Sequence, residues 1–256
     1  MRDMPGRYLG TLIERLSWVM ETQGPAIEAA AEACARSILA DKLAFAFGTG
    51  HGAFAALEMY PRTGTVTGFR PIVESTMISF HRVLGDGGAR QYRFIHAQEG
   101  YGRAILSAHQ THPGDTMLVF SHSGLNAVTL DVAVTAKEIG MTVVGVTSIS
   151  HSQATPSRHS CGKRLFELAD VVIDTGVPMG DASLEVEGMR GRTGATSTSI
   201  AIAVGQAINA ATAERIVAAG RDPFLMVSPN TTDKAAANAQ NDRNYAELWR
   251  RLRLRG

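Results

Sequence analysis

Leu118-Val119-Phe120-Ser121-His122-Ser123-Gly124 is an apolar run that passes straight into a hydroxyl-rich turn, and helix-forming sequence from Asn126 to Ile139 follows at once. A buried strand, a Ser-x-Ser-Gly turn and a helix N-terminus together make a site for an anion. Unpaired N–H groups of the first helical turn and the positive end of the helix dipole converge there, and two serine hydroxyls add neutral donors. No lysine lies in the turn, so the pattern predicts a cradle for a monophosphate rather than a nucleotide P-loop. Ser121, His122, Ser123, Gly124 and Asn126 are the candidate binding residues of this segment.

Downstream the alternation continues. Gly140 stops the helix, Thr142 to Val146 reads as a strand, Gly162 to Ala169 as a short helix and Val171 to Asp174 as a strand. The glycine-rich stretch Gly176 to Gly194 reads as a loop, Ser197 to Ala219 as a long helix, and the Arg-rich tail Asp233 to Leu254 as a second. Upstream, two helices divided by Gly24-Pro25 fill the first forty residues, and Leu43 to Phe47 is a strand that ends in Gly48-Thr-Gly-His-Gly52. A helix from Ala53 to Tyr60 comes next. Residues Pro61 to Gly88 predict a short strand near Val66 or Ile72 and a further helix, Tyr101 to His109 a helix, and Thr116 to Phe120 the strand before the Ser-rich turn. Strands that are nearly continuous apolar runs, separated by helices, predict an α/β fold with a parallel sheet covered on both faces. Without a repeat or linker, a single domain over 1–256 is expected, its end helices (1–40 and 232–256) packing on the body or on a partner subunit.

The bulk properties exclude several classes. Of the 256 residues 45% are hydrophobic and 19% charged, which suits a globular chain with an ample core. A formal charge of +1 gives no electrostatic basis for binding nucleic acid. Two cysteines, Cys34 and Cys161, are too few for a disulfide framework and fit a reducing compartment. The first residues lack the apolar core of a signal peptide, and the most apolar long run, Ser199 to Ala213, is broken by Gln206 and Asn209 and too short to span a bilayer. A cytoplasmic protein that does not engage a membrane is expected. His109-x-x-His112 and the set His151, His159 and Cys161 match no metal-ligand spacing, so no metal and no cofactor is expected.

The first glycine turn admits two readings. Gly48, Gly50 and Ala53 satisfy G-x-G-x-x-G/A, with Glu74 placed as a ribose-binding acid would be, which would suit a nicotinamide or flavin dinucleotide. The two leading helices and the Gly/Pro/Thr-rich segment after the turn argue instead for a different phosphate-binding fold.

Taken together, the leading helices, the G-x-G turn, the strand ending in S-x-S-G and a late helix opened by Thr196-Ser197-Thr198 resemble the sugar isomerase (SIS) domain family. The likeness extends over the chain after Phe45. It is greatest to a stand-alone phosphosugar isomerase branch, through Gly48-Thr-Gly-His51, Glu58, Arg158-His-Ser-Cys-Gly-Lys-Arg164 and Gly180-Asp-Ala-Ser-Leu-Glu-Val-Glu-Gly188. The resemblance implies a three-layer α/β/α sandwich and a small phosphorylated sugar as ligand. It also implies a homodimer or homotetramer with sites at subunit interfaces, and phosphate held by Ser121, Ser123 and Gly124 with Thr196, Ser197 and Thr198. Gly48, Thr49 and Gly50 would line the same site.

Aldose–ketose isomerisation needs a base to move a proton between adjacent carbons and an acid for the two oxygens, tasks that suit Glu and His. Glu58, on the helix after the glycine turn, is the expected base. His51 at that helix's start and His81, from a neighbouring subunit, are the expected helpers. In the polar segment after residue 150, His151, Arg158, His159 and Lys163 are further pocket candidates, and one of Asp181, Glu185 and Glu187, best Glu187, is expected to contact sugar hydroxyls. The same base would serve a phosphosugar lyase or etherase, and a non-catalytic phosphosugar sensor would use the cradle alone.

Overall fold

The computed structural model describes residues 3–78, 88–231 and 233–255. Helices α1 (Met4–Thr22) and α2 (Gly24–Leu39) lead into β1 (Ala44–Gly48), α3 (Gly52–Leu57), β2 (Phe69–Ile72) and the short α4 (Ser75–Ile78). Helices α5 (Gly88–His96) and α6 (Tyr101–Ser107) precede β3 (Thr116–Phe120) and α7 (Ala127–Ile139). Then come β4 (Thr142–Thr147), α8 (Ile149–Gln153), α9 (Leu165–Leu168) and β5 (Val171–Asp174). A hairpin of β6 (Ala182–Glu185) and β7 (Arg192–Ala195) and the long helices α10 (Ser197–Ala218) and α11 (Lys234–Arg253) finish the chain.

The five central strands are parallel, in the order β2-β1-β3-β4-β5. Successive side chains of a strand point to opposite faces, and here both faces are apolar. Phe45, Phe47, Met117, Val119 and Val143 join Leu106, Val128 and Leu130 in one core layer. Ala46, Leu118, Phe120, Val144 and Val146 join Ile38, Ile200, Val204 and Ile208 in the other. All five residues of β3 are buried, as a strand covered twice must be. The result is the three-layer α/β/α sandwich that the sequence predicts.

Strand order turns at β1 and β3: the chain moves outward to β2 on one side and to β4 and β5 on the other. Gly48 pairs with Phe120 across that junction, so the two strands release their turns side by side. In open parallel sheets, ligands bind in the crevice at such a switch point, beyond the carboxyl ends of the strands.

Three details differ from the sequence-based expectation. The stretch 176–194 contains the antiparallel hairpin β6–β7, held to α1 by the Tyr8 hydroxyl, which donates to the Ala195 carbonyl at 2.9 Å. Each strand has four residues and no apolar run, so it carries no clear strand pattern. Helix α3 stops at Leu57 rather than near Tyr60, with Glu58 as its C-cap residue. A short helix, α8, opens the segment after β4, with the Ser148 hydroxyl accepting the His151 N–H at 3.2 Å.

The basic end docks on the body. Arg251 donates to the Ile38 carbonyl at 2.6 Å, and Arg255 pairs with the fully buried Asp115, which also accepts the Leu43 and His112 N–H groups at 3.0 and 2.7 Å. Among the described residues no helix is long and apolar enough to cross a membrane.

Candidate anion-binding cleft

A cleft of about 230 Å³ opens at the switch point. Its floor is made by two turns in close contact. A Cβ on Gly52 would lie 2.5 Å from the Phe120 carbonyl oxygen, and one on Gly48 would lie 2.4 Å from the Gly52 carbonyl, so only glycine lets the turns approach. Gly48 therefore serves the tightness of its own turn, and Gly52 the close approach of that turn to the end of β3. Glu74, the would-be ribose acid, instead accepts the Thr76 N–H at 3.2 Å and its hydroxyl at 2.8 Å.

The Ser-rich turn is closed on itself. The Ser121 N–H continues the β3–β4 pairing to the Val146 carbonyl at 3.0 Å, and the Ser121 hydroxyl accepts the Gly124 N–H at 3.2 Å. Gly124 has φ +60°, and a Cβ there would meet the Thr147 hydroxyl at 2.8 Å and the Leu165 side chain at 3.1 Å. Asn126 stands at the N-cap of α7 in extended conformation without a side-chain capping bond. The amides of the first turn of α7 are thus left for an anion. Asn126 instead donates to the Ser123 hydroxyl at 3.4 Å and accepts from Arg158 at 3.0 Å.

The opposite wall comes from the late segment. Asp181, in the left-handed region at φ +67°, accepts the Thr196 and Ser197 N–H groups at 2.9 and 2.8 Å and the Ser197 hydroxyl at 2.7 Å. Burial would raise its pKa, yet these bonds and the nearby His122 hold it below the usual carboxylate range. Thr198 and Thr175 also line the cleft. The hydroxyls of Thr175 and Thr196 are buried without a hydrogen-bond partner, and an unmet buried polar group costs about 1–3 kcal/mol. A polar ligand can complete Thr175, which faces the cleft.

Histidines shape the electrostatics. The Thr49 hydroxyl meets His96 Nε2 at 2.9 Å, and burial, with a smaller contribution from Arg158, pushes the His96 pKa down to about 4. His122 Nε2 lies 2.8 Å from His151 Nδ1, the rings edge to face. The Gly180 N–H points at the same His151 nitrogen at 3.4 Å, which makes that nitrogen the acceptor and places the shared hydrogen on His122 Nε2. Burial, then the neighbouring His151, lower the His122 pKa to about 4, while Asp181 opposes them.

Of the sequence candidates, Thr49, His51, Ser121, His122, Ser123, Asn126, Ser197 and Thr198 line one cleft. Gly48, Gly50, Gly124 and Thr196 are not among the residues that line it. Four candidates lie elsewhere. Glu58, at the C-cap of the shortened α3, pairs with Arg62 at 2.8 Å. His159 accepts the Cys161 N–H at Nδ1 (3.0 Å), so its Nε2–H donates to the buried Asp131 at 3.0 Å; it latches the loop to α7. Lys163 is exposed, with its carbonyl taken by Ser157 at 2.8 Å. Glu187 sits exposed in the bend of the β6–β7 hairpin, while Glu185 pairs with Arg192. His81 lies outside the described residues. Thr175, Tyr92 and His96 line the cleft without having been singled out; Thr175, just past the carboxyl end of a parallel strand, carried a positional signal.

Comparison with known proteins shows the family and the fold. The family model of the SIS domain matches residues 7–148, just over half the chain. A UPF0309 protein of Halalkalibacterium halodurans is 32% identical over 232 residues, covering 91% of this chain and 92% of the relative. Among solved structures, the sugar isomerase domain of an RpiR transcription factor from Sphaerobacter thermophilus superposes with a TM-score of 0.51 at 20% identity, covering 94% of this chain and 99% of that one. A phosphoheptose isomerase from Neisseria gonorrhoeae gives 0.52 at 16% identity, covering 82% and 96%. At these identities the two structures share the fold.

Proposed function

The chain belongs to the SIS-domain family, and from that premise we propose that it binds a phosphorylated sugar and interconverts its aldose and ketose forms through an enediolate. The observation that carries the reading is the Ser121–Gly124 turn: two hydroxyls and the uncapped start of α7 meet at the switch point of the sheet. Phosphate affinity comes from charge-assisted hydrogen bonds, each worth on the order of 1.5–3 kcal/mol. In this reading Ser121, Ser123, Thr198 and the α7 amides take the phosphate, while Thr175 and His51 contact the sugar.

The base is Glu58 brought by a second copy, because within one chain Asp181 is the sole carboxylate among the described residues lining the cleft. His81 is proposed to come from a neighbouring copy in the same way. A homodimer or homotetramer, acting in the cytoplasm, is the assembly this requires. The exposed apolar side chains of α1, Leu9, Ile13 and Met20, offer a face for it. Elimination of a sugar substituent would use the same base. The position of Glu58 outside its own chain's cleft also supports a second reading, a phosphosugar sensor without turnover.

A thermal-shift screen of sugar phosphates against their unphosphorylated parents tests the binding. A ligand specific to the native state stabilises by about 2.7 kcal/mol at a hundredfold excess over Kd. Stabilisation by one sugar phosphate and not its parent, followed by appearance of the isomer, supports the isomerase. Stabilisation without turnover supports the sensor, and no phosphate dependence overturns both.

A further inference from the structure

The cleft presents an electrostatic puzzle. Among the described residues that line it there is no lysine and no arginine, while Asp181 brings a carboxylate held in its ionised form by three hydrogen bonds. Arg158 stands at the rim, bonded to Asn126. A phosphate dianion seated opposite Asp181 in a partly dry cleft needs a compensating charge.

We propose that the His122–His151 pair supplies that charge, taking up one proton from solvent when a phosphate dianion seats in the Ser121–Gly124 turn. This inference rests on the phosphorylated-ligand reading above. His122 stands between the two serines of the turn, and its ring lines the cleft. Its Nε2–H is committed to His151 at 2.8 Å, and its Nδ1 has no hydrogen-bond partner. That nitrogen is the position open to a second proton. In the free cleft burial keeps the pair neutral, and the His151 ring further disfavours charge on His122. A dianion reverses the balance, because an opposite charge within a few ångströms favours the protonated form.

The surrounding groups are few. Asp181, beside the β6–β7 hairpin, favours the imidazolium, and Arg158, from the loop after α8, opposes it on His151. His51, from the first turn, and His96 and Tyr92, from α5, complete the lining, with His96 kept neutral by burial. The loaded cleft then reads carboxylate, imidazolium, phosphate.

The test is NMR on protein labelled at its histidine rings and backbone amides, at pH 7, with inorganic phosphate and then arabinose 5-phosphate as probes. The expected result is a bound phosphorus signal of dianion type together with His122 and His151 ring shifts moving to the imidazolium range. His122→Asn and His151→Asn should each remove that shift and weaken phosphate binding about tenfold. Perturbed amides at 121–124 with rings that stay neutral, or a bound monoanion, overturn the proposal and leave the phosphate reading standing. Amides at 121–124 that respond to neither probe overturn the phosphate reading and this proposal with it.

Discussion

Asp181 caps α10 from sixteen positions upstream of Ser197, taking the Ser197 N–H at 2.8 Å and the Ser197 hydroxyl at 2.7 Å on its two carboxylate oxygens. The bonds do two things at once: they satisfy the start of a long helix and they fix the wall of the cleft. Asp181→Ala should lower stability by about 1–2 kcal/mol, the usual cost of losing an N-cap, or several degrees in Tm. Because its pKa is lowered in the folded state, the contribution is present above the unfolded carboxylate pKa and is lost as pH falls through the folded value. Thermal unfolding of the variant and the parent between pH 7 and pH 3 should converge at the acid end.

Gly124→Ala places a methyl 2.8 Å from the Thr147 hydroxyl on backbone at φ +60°. The expected cost is about 1–3 kcal/mol. Phosphate-dependent stabilisation should also fall, since the turn and the entry to α7 move together. A variant with unchanged Tm and unchanged ligand response would show that the turn is not held as described.

His96 is buried against Thr49 with its pKa at about 4, below the unfolded value of about 6.5. The unfolded chain therefore binds the extra proton first, and stability is lost as pH falls from about 6.5 to about 4. The loss is on the order of 3 kcal/mol from this group. His96→Gln should flatten the Tm profile over that window, measured by calorimetry.

His159 and Asp131 form a latch outside the cleft. Asp131, buried, also accepts the Gly102 N–H at 3.2 Å. His159→Ala should destabilise by about 1–3 kcal/mol through unmet buried groups. It should leave the affinity for a sugar phosphate within about threefold. A selective loss of affinity at full stability would return His159 to the binding site.

Glu58→Gln removes a partly exposed ion pair with Arg62, worth at most about 1 kcal/mol. Chain stability should hardly change. If turnover is lost in this variant and restored in mixed oligomers with an Arg62→Ala, Ser121→Ala chain, the base crosses between copies. Full turnover in the variant would remove Glu58 from the mechanism.

The sheet was legible because strands covered on both faces, such as Met117 to Phe120, read as unbroken apolar runs. The Ser121–Gly124 turn was legible as a strand-to-helix turn because Ser and Gly suit such a turn locally. What remained hidden depended on distant contacts. Asp181 reaches Ser197 only because a hairpin folds back, and nothing in residues 182–195 signals that by pattern. The Glu58 expectation assumed a helix running to Tyr60, and α3 is a turn shorter. His96 joins the cleft through Thr49, a partner 47 residues away, which no local pattern encodes.

The contact between Gly52 and the Phe120 carbonyl has a bearing on how this scaffold could diverge. Where the first glycine turn meets the end of β3 the approach is locked at backbone level, since a Cβ on Gly52 would collide with the Phe120 carbonyl, so mutation has little room there. Variation can accumulate on the far wall, where the hairpin and α5 meet solvent. Divergence within such a scaffold would then exchange the far wall of the cleft while the junction of the two turns is inherited unchanged.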